Sequence, residues 1–329
     1  MFIPIAHWPR WVSIAGCGVL LTVAMASAEE KDAGRSAVAV VGQDLVSEHE
    51  VRRELRAAYG DEINVDQLPA ATRQRAAQQV VDRRLVLQYL EEAKQAASAA
   101  DVDYAIEQLR NELKAQGMTL TAYLKGGGWR EEEFRQHLRW TFSWQRFLDR
   151  TLTEENLRKY FERHLPDFDG REVRVAHLLL KVEPDDEAGR KAALAEAGRI
   201  LAEIQGGTLS FAEAVRKYSQ APTSAEGGEL GFIRRHEPMP ESFSKAALWL
   251  PKDQVSEPVV TNAGVHLIQC LEIRPGTRTW RESEQDLRRA VARYLFEWAA
   301  EKQRAKVNVG WNRNLAPGAA KEVKVSNAD

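Results

Sequence analysis

"VRVAHLLLKV", residues 173–182, is β-branched and apolar, and one histidine, His177, interrupts it. Such a run predicts a buried strand. "DDEAGRKAALAEAGRILAEIQGG" (185–207) follows it. This is an amphipathic helix pattern, with Leu194, Ile200, Leu201 and Ile204 on the apolar side and Gly206-Gly207 as the stop. "SFAEAVRKYS" (210–219) predicts a second helix with Ser210 as its N-cap. After the loop "QAPTSAEGG", "ELGFI" (229–233) reads as a strand and "PESFSKAALWL" (240–250) as a helix. "VSEPVVT" (255–261) and "GVHLIQCLEI" (264–273) are strands around an "NAG" turn. The order β-α-α-β-α-β-β, over about 100 residues, defines an α+β domain.

The preceding texture is helical. "AVAVVGQDLV" (37–46) reads as a β-hairpin around "GQD", and Ser47 with Glu50 forms a capping-box pattern. Helices are expected over "ATRQRAAQQVVDRRLVLQYLEEAKQAA" (71–97), over "DVDYAIEQLRNELKAQG" ending at Gly117, and, after the "GGG" break at 126–128, over "REEEFRQHLRWTFSWQRFLDRTL" (130–152). That last helix carries Phe134, Trp140, Phe142, Trp144 and Phe147, spread over more than one face. Two readings fit it: a helix buried among others, or an apolar surface that grips unfolded chains. Thr153 N-caps a further short helix, and Pro166, Asp167, Asp169 and Gly170 read as a linker. Beyond the α+β domain, residues 279–306 form a long helix pattern, "VNVGW" (307–311) reads as a short strand, and the polar tail reads as disordered.

Residues 11–28 carry no charge, follow Arg10, and end in "ASA" before "EEKD". This is the pattern of a secretory signal cleaved after Ala28. The same 18 residues are long enough for an uncleaved anchor, and "IAGC" (14–17) looks like a lipobox, although the apolar stretch runs well past Cys17. With Cys17 removed, Cys270 is left without a disulfide partner and reads as a small buried hydrophobe. The chain of 329 residues has 29 % charged and 44 % hydrophobic residues and a formal net charge of −2. That balance excludes a strong pull toward nucleic acid.

Residues 173–274 closely resemble the parvulin-type (PpiC, rotamase) peptidyl-prolyl cis-trans isomerases. The matches are "AHLLLK" (176–181), "FAEAVRKYS" (211–219), "GGELGF" (227–232), "MPESFSKAALWL" (239–250) and "VSEPVVTNAGVHLI" (255–268), in the family's order and spacing. The flanks are similar to the SurA/PrsA type of exported foldase, in which helical segments before and after the parvulin domain form a chaperone module. The resemblance implies a four-stranded antiparallel sheet with surrounding helices, inserted in an all-helical module. It implies a signal peptide at 1–28, a SurA-N-like domain at 29–170, the isomerase domain at 171–275, and a C-terminal helix plus tail at 276–329.

By the same resemblance, His177 and His266 are the family's paired histidines, Thr261 is a polar neighbour, and Leu230, Met239 and Phe243 hold the proline ring. Many members carry an acid or a cysteine where this chain has Ala221, which implies weakened catalysis. The expected activity is rotation of X–Pro bonds in unfolded or nascent exported polypeptides, without metal or cofactor. The alternative is a non-catalytic chaperone that binds aromatic or proline-rich segments. The acidic loop "VEPDDEAGR" (182–190) would repel a phosphoserine, so no phosphate-specific recognition is expected. The expected location is periplasmic, or at the membrane if the signal stays uncleaved.

Overall fold

The structure is a computed structural model that describes residues 37–235 and 237–312. Residues 1–36 and 313–329, which include the stretch read as a signal and the polar tail, lie outside the described residues. The chain divides into two compact units: Met1–Arg84 with Val307–Asp329, and Leu85–Lys306.

In the first unit, β1 (Ala37–Val41) and β2 (Asp44–Ser47) form the expected hairpin. A late strand, β7 (Val309–Trp311), pairs antiparallel with the other edge of β1, giving the order β2-β1-β7. Helix α1 (Glu48–Tyr59) starts on the expected capping box. Glu50 accepts the Ser47 N–H at 2.9 Å and also pairs with Arg84 at 2.5 Å, so this carboxylate is both cap and ion-pair partner. Arg84 lies on α2 (Ala70–Glu92).

The second unit holds a helical group and the α+β domain. Helices α3 (Ala99–Ala115), α4 (Leu120–Gly126) and α5 (Glu131–Thr151) bury Ile106, Leu113, Leu124, Phe134 and Leu138 together. Gly117 and Gly128, at φ +74° and +61°, end the turns after α3 and α4 where a side chain would be strained. The aromatic stripe of α5 is largely absorbed by packing. Phe134 and Phe147 are buried. Trp140 and Trp144 stack at 5.5 Å, and Phe296 meets both edge-on at 5.8 Å. Phe296 belongs to α11 (Glu284–Arg304). That helix starts later than 279 because the Glu282 carboxylate caps the Thr279 N–H and hydroxyl, holding a turn before it.

The segment read as a linker is structured. Helix α6 (Glu154–Arg163), capped by Thr153, runs into the short α7 (Leu165–Phe168) with Pro166 in its first turn. Phe168 packs with Leu157, Phe161, Leu287 and Val291, and the Ser283 hydroxyl donates to its carbonyl at 2.8 Å. Gly170, at φ +77°, makes the turn that follows α7.

The α+β domain has the predicted order: β3 (Glu172–Lys181), α8 (Glu187–Gln205), α9 (Phe211–Tyr218), β4 (Glu229–Ile233), α10 (Glu241–Trp249), β5 (Val259–Thr261) and β6 (Gly264–Arg274). The sheet is four-stranded and antiparallel, in the order β4-β3-β6-β5. Strand 255–261 is shorter than expected: only 259–261 form a ladder, and Val255 makes an isolated bridge to Gln269. Ala176, Leu178, Val265 and Leu267 face α8 and α9 and pack with Ile200, Leu201 and Val215. Val175, Ile268 and Cys270 face the other way, against Phe243 and Leu248 of α10. Leu194 sits beside rather than within the buried stripe of α8; Ala193, Ala197, Ile200 and Ile204 take the inward positions, and Leu194 is 36 % exposed.

Candidate active site on the α10 face of the sheet

Strand periodicity places the histidines. His177 and His266 occupy the α10 face of neighbouring strands, with Leu179 opposite His266 and His177 opposite Ile268. Their Nδ1 atoms lie 3.2 Å apart, and the rings are near-parallel at 19°. Phe243 presents its ring edge-on to both, at 5.8 Å from His177 and 5.2 Å from His266. Outside this pair, Thr261 Oγ1 lies 2.8 Å from His266 Nε2, and Thr223 Oγ1 lies 3.4 Å from His177 Nε2. A hydrogen-bonded chain therefore runs Thr223–His177–His266–Thr261 over the face of the sheet.

The Ala263 N–H donates to Thr261 Oγ1 at 3.1 Å. The two facing Nδ1 atoms share one proton, so one ring donates and the other accepts, and either direction leaves both rings neutral. Burial favours that neutral state. His177 and His266 are 6 % and 2 % exposed. Burial lowers the pKa of His177. Burial, together with the neighbouring His177, holds His266 at about 4.

Loop 219–228 is built onto the edge of β3. Ser219 Oγ accepts the N–H of Leu179 at 3.1 Å and of Ala221 at 3.2 Å. The Gln220 N–H donates to the Leu179 carbonyl, and its side-chain oxygen accepts the Lys181 N–H. A 3-10 turn, Pro222–Glu226, then delivers Thr223. Gly228 closes the loop by accepting the His177 N–H at 2.8 Å. At φ +78°, a Cβ on Gly228 would meet the His177 carbonyl oxygen at 2.2 Å, so only glycine fits there. Ala221 is 4 % exposed and brings no charge to the histidines.

The apolar residues Leu230, Met239 and Phe243 converge. Leu230 and Met239 are half-buried and pack on the cluster that contains Phe243. Phe243 itself is fully buried, so it is a core residue as much as a wall. An open groove of about 520 Å³ adjoins Thr261 and is lined also by Pro184, Arg190, Pro240, Ser242 and Val260. Sequence pattern does not mark Thr223; the signal available is its place in the loop that leads to the "GGELGF" stretch, with two helices between it and its histidine. Cys270 is buried and free, and burial raises its thiol pKa, which removes it from the chemistry.

Residues 177–272 match the PPIC-type PPIase domain, the rotamase family. Residues 8–148 match the SurA-like N-terminal domain. The chain thus carries a segment that matches a SurA-like N-terminal domain, followed by one that matches a rotamase domain. Among curated proteins it is 35 % identical over 158 residues to Chaperone SurA of Cupriavidus metallidurans, covering 47 % of this chain and 29 % of that one. It is 31 % identical over 148 residues to Foldase protein PrsA 1 of Bacillus cereus, covering 45 % and 44 %. The chain spans less than half the length of these relatives. A crystal structure of a PpiC-type peptidyl-prolyl cis-trans isomerase domain aligns at 27 % identity and a TM-score of 0.30, over 34 % of this chain and 98 % of that one.

Proposed function

We infer that the chain is a foldase that accelerates cis-trans isomerisation of X–Pro bonds in unfolded, exported polypeptides. The observation that carries this reading is the Thr223–His177–His266–Thr261 chain, set over Phe243 with Leu230 and Met239 beside it, within the segment that matches a rotamase domain.

The chemistry asks little of the protein. The barrier of ~18–20 kcal/mol is amide resonance, and no bond to the backbone breaks. Twisting the C–N bond removes the charge separation of the planar amide, so an apolar site favours the twisted state over the planar one. Leu230 and Met239 supply that environment for the proline ring. The neutral histidine pair fixes the floor of the site through Phe243 and keeps its polar atoms satisfied by one another. In this reading His177, His266 and Thr261 are the polar groups of the site, and Ala221 marks the place of a missing carboxylate. The same reading divides the chain at 1–28, 29–170, 171–275 and 276–329, with residues 1–28 as an export signal, and places the protein in the periplasm or at its membrane face.

The test is a proline-peptide isomerisation assay on the full chain. Acceleration over buffer, lost in Leu230→Ala with Met239→Ala, supports the reading; a rate equal to buffer sinks it. A second reading, a chaperone that binds without turnover, is favoured by two observations: Ala221 leaves no acid near the histidines, and Phe243 is fully buried. Suppression of client aggregation with no isomerisation supports it. Ala221→Asp that then confers turnover would identify the missing acid as the cause.

A further inference from the structure

Two adjacent arginines, Arg234 and Arg235, leave the end of β4 in opposite directions. Arg234 Nε donates to Glu172 of β3 at 2.6 Å, and Arg274 of β6 reaches the same carboxylate at 3.4 Å. Arg235 turns the other way. Its Nε donates to Glu241, at the start of α10, at 3.0 Å. Its Nη1 donates to Asp167, which lies on α7, before the sheet and outside the matched rotamase segment. The Asp167 side chain is only 6 % exposed, and the Arg235 side chain 20 %. The turn between these anchors is tight: the Arg234 N–H donates to the Glu237 carbonyl at 2.8 Å. It leads straight to Met239, whose carbonyl accepts the Ser244 hydroxyl at 3.0 Å, and then to Phe243.

We propose that Asp167 is a positioning residue for the proline pocket: it holds Arg235, and through Arg235 the turn that delivers Met239. The inference rests on the isomerase reading, but the anchor itself does not. The geometry is unusual for a surface ion pair. An exposed pair contributes little, whereas a nearly buried carboxylate that loses its charge leaves a guanidinium half-buried and short of a partner. Glu241 alone cannot replace it, because Glu241 ties Arg235 to α10 within the domain, while Asp167 ties it to α7. Helix α7 is itself held, by Phe168 in its apolar cluster and by the Ser283 hydroxyl on the Phe168 carbonyl. The pocket wall is thus fixed from a segment that precedes the sheet. His164, which stacks on Tyr160 at 4.1 Å, places its Nδ1 3.7 Å from Asp167.

The experiment uses the full chain and its Asp167→Asn, Asp167→Glu and Arg235→Lys variants, with a proline peptide as substrate. Asp167→Asn should raise KM of order tenfold, below the hundredfold that a misplacement of about 1 Å can cost, and leave kcat within about twofold. Asp167→Glu, which keeps the charge, should recover part of the loss. Hydrogen exchange should quicken at the Arg234 and Ser244 amides in Asp167→Asn and in Arg235→Lys, with the exchange of Leu178 and Leu267 unchanged. KM and exchange both at wild-type values in Asp167→Asn would overturn the proposal, as would a loss confined to kcat. If the wild-type chain shows no turnover, the isomerase reading fails, and the exchange result alone decides the anchor. If Asp167→Asn does not fold, Arg235→Lys carries the same two readouts.

Discussion

The two faces of the β3–β6 strand pair are built from alternate residues of the same two segments and do different work. Toward α8 and α9 the pair presents Ala176, Leu178, Val265 and Leu267, which pack in an apolar core with Ile200, Leu201 and Val215. Toward α10 it presents Val175, His177, His266, Ile268 and Cys270, so two imidazoles replace two aliphatic side chains in an otherwise equivalent layer. The period of two lets one face carry stability while its reverse carries polar chemistry, with no change of backbone. The difference also shows why the site is costly: each buried imidazole must find partners, and it finds them in the other imidazole and in two threonines.

The largest test of this division is Phe243→Ala. Phe243 joins the core of the α10 face to both histidines, so its removal should cost about 3–5 kcal/mol in urea unfolding and abolish isomerisation together. Unchanged stability would mean that the α10 face is a pocket only, and the division would fail. Leu178→Ala should cost about 2–5 kcal/mol on the opposite face, with kcat/KM per folded molecule unchanged. A change in kcat/KM there would show that the two faces are coupled through the sheet.

Acidification should separate the faces next, because only one of them titrates. An imidazole held neutral in the fold stays unprotonated while its unfolded counterpart, with a pKa of about 6.5, takes up a proton. Stability contributed by the neutral pair is therefore complete above about pH 6.5 and declines as pH falls from there toward 4. For His266, held at about 4, the decline amounts to at most roughly 3 kcal/mol. Unfolding midpoints measured from pH 7 to pH 4 should fall, and long-range nitrogen NMR should find His266 still neutral at pH 5. A His266 that titrates near pH 6.5 would contradict the buried, paired arrangement.

Much of this was legible in the chain. Apolar runs with turn residues between them define all four strands, and the capping box at Ser47 and the N-cap at Ser210 mark helix starts through purely local bonds, to which the structure adds a capping box at Ser98. The structure brings His177, His266, Thr261 and Phe243 together, and Leu230 and Met239 pack on the cluster that holds Phe243. What local pattern could not show depends on separation along the chain. Thr223 is 46 positions from His177, and Asp167 is 68 from Arg235. Pro166 and Gly170 read as a linker because turn residues carry no sign of what Phe168 between them will pack against. Leu194 read as buried because helical periodicity fixes an angle but not where the sheet beneath the helix ends. Full burial of Phe243 was equally hidden, since spacing four residues from Met239 fits a pocket wall and a core position alike.

The smallest effect tests the direction of the hydrogen bonds across the α10 face. Thr261→Val keeps the shape of the side chain and removes the hydroxyl, so His266 Nε2 loses its hydrogen-bond partner. The Ala263 N–H loses its acceptor as well, but it is exposed and turns to water. The net cost in stability should be about 1 kcal/mol, the size of one hydrogen bond. The informative readout is the tautomer rather than the midpoint. The Thr261 contact is the shorter of the two that end the chain, so its loss should shift the balance between the two neutral forms of His266. Nitrogen NMR distinguishes the two forms. If His266 keeps its wild-type tautomer in Thr261→Val, then Thr223 at the far end sets the direction, and the weaker 3.4 Å contact outranks the 2.8 Å one in ordering the site.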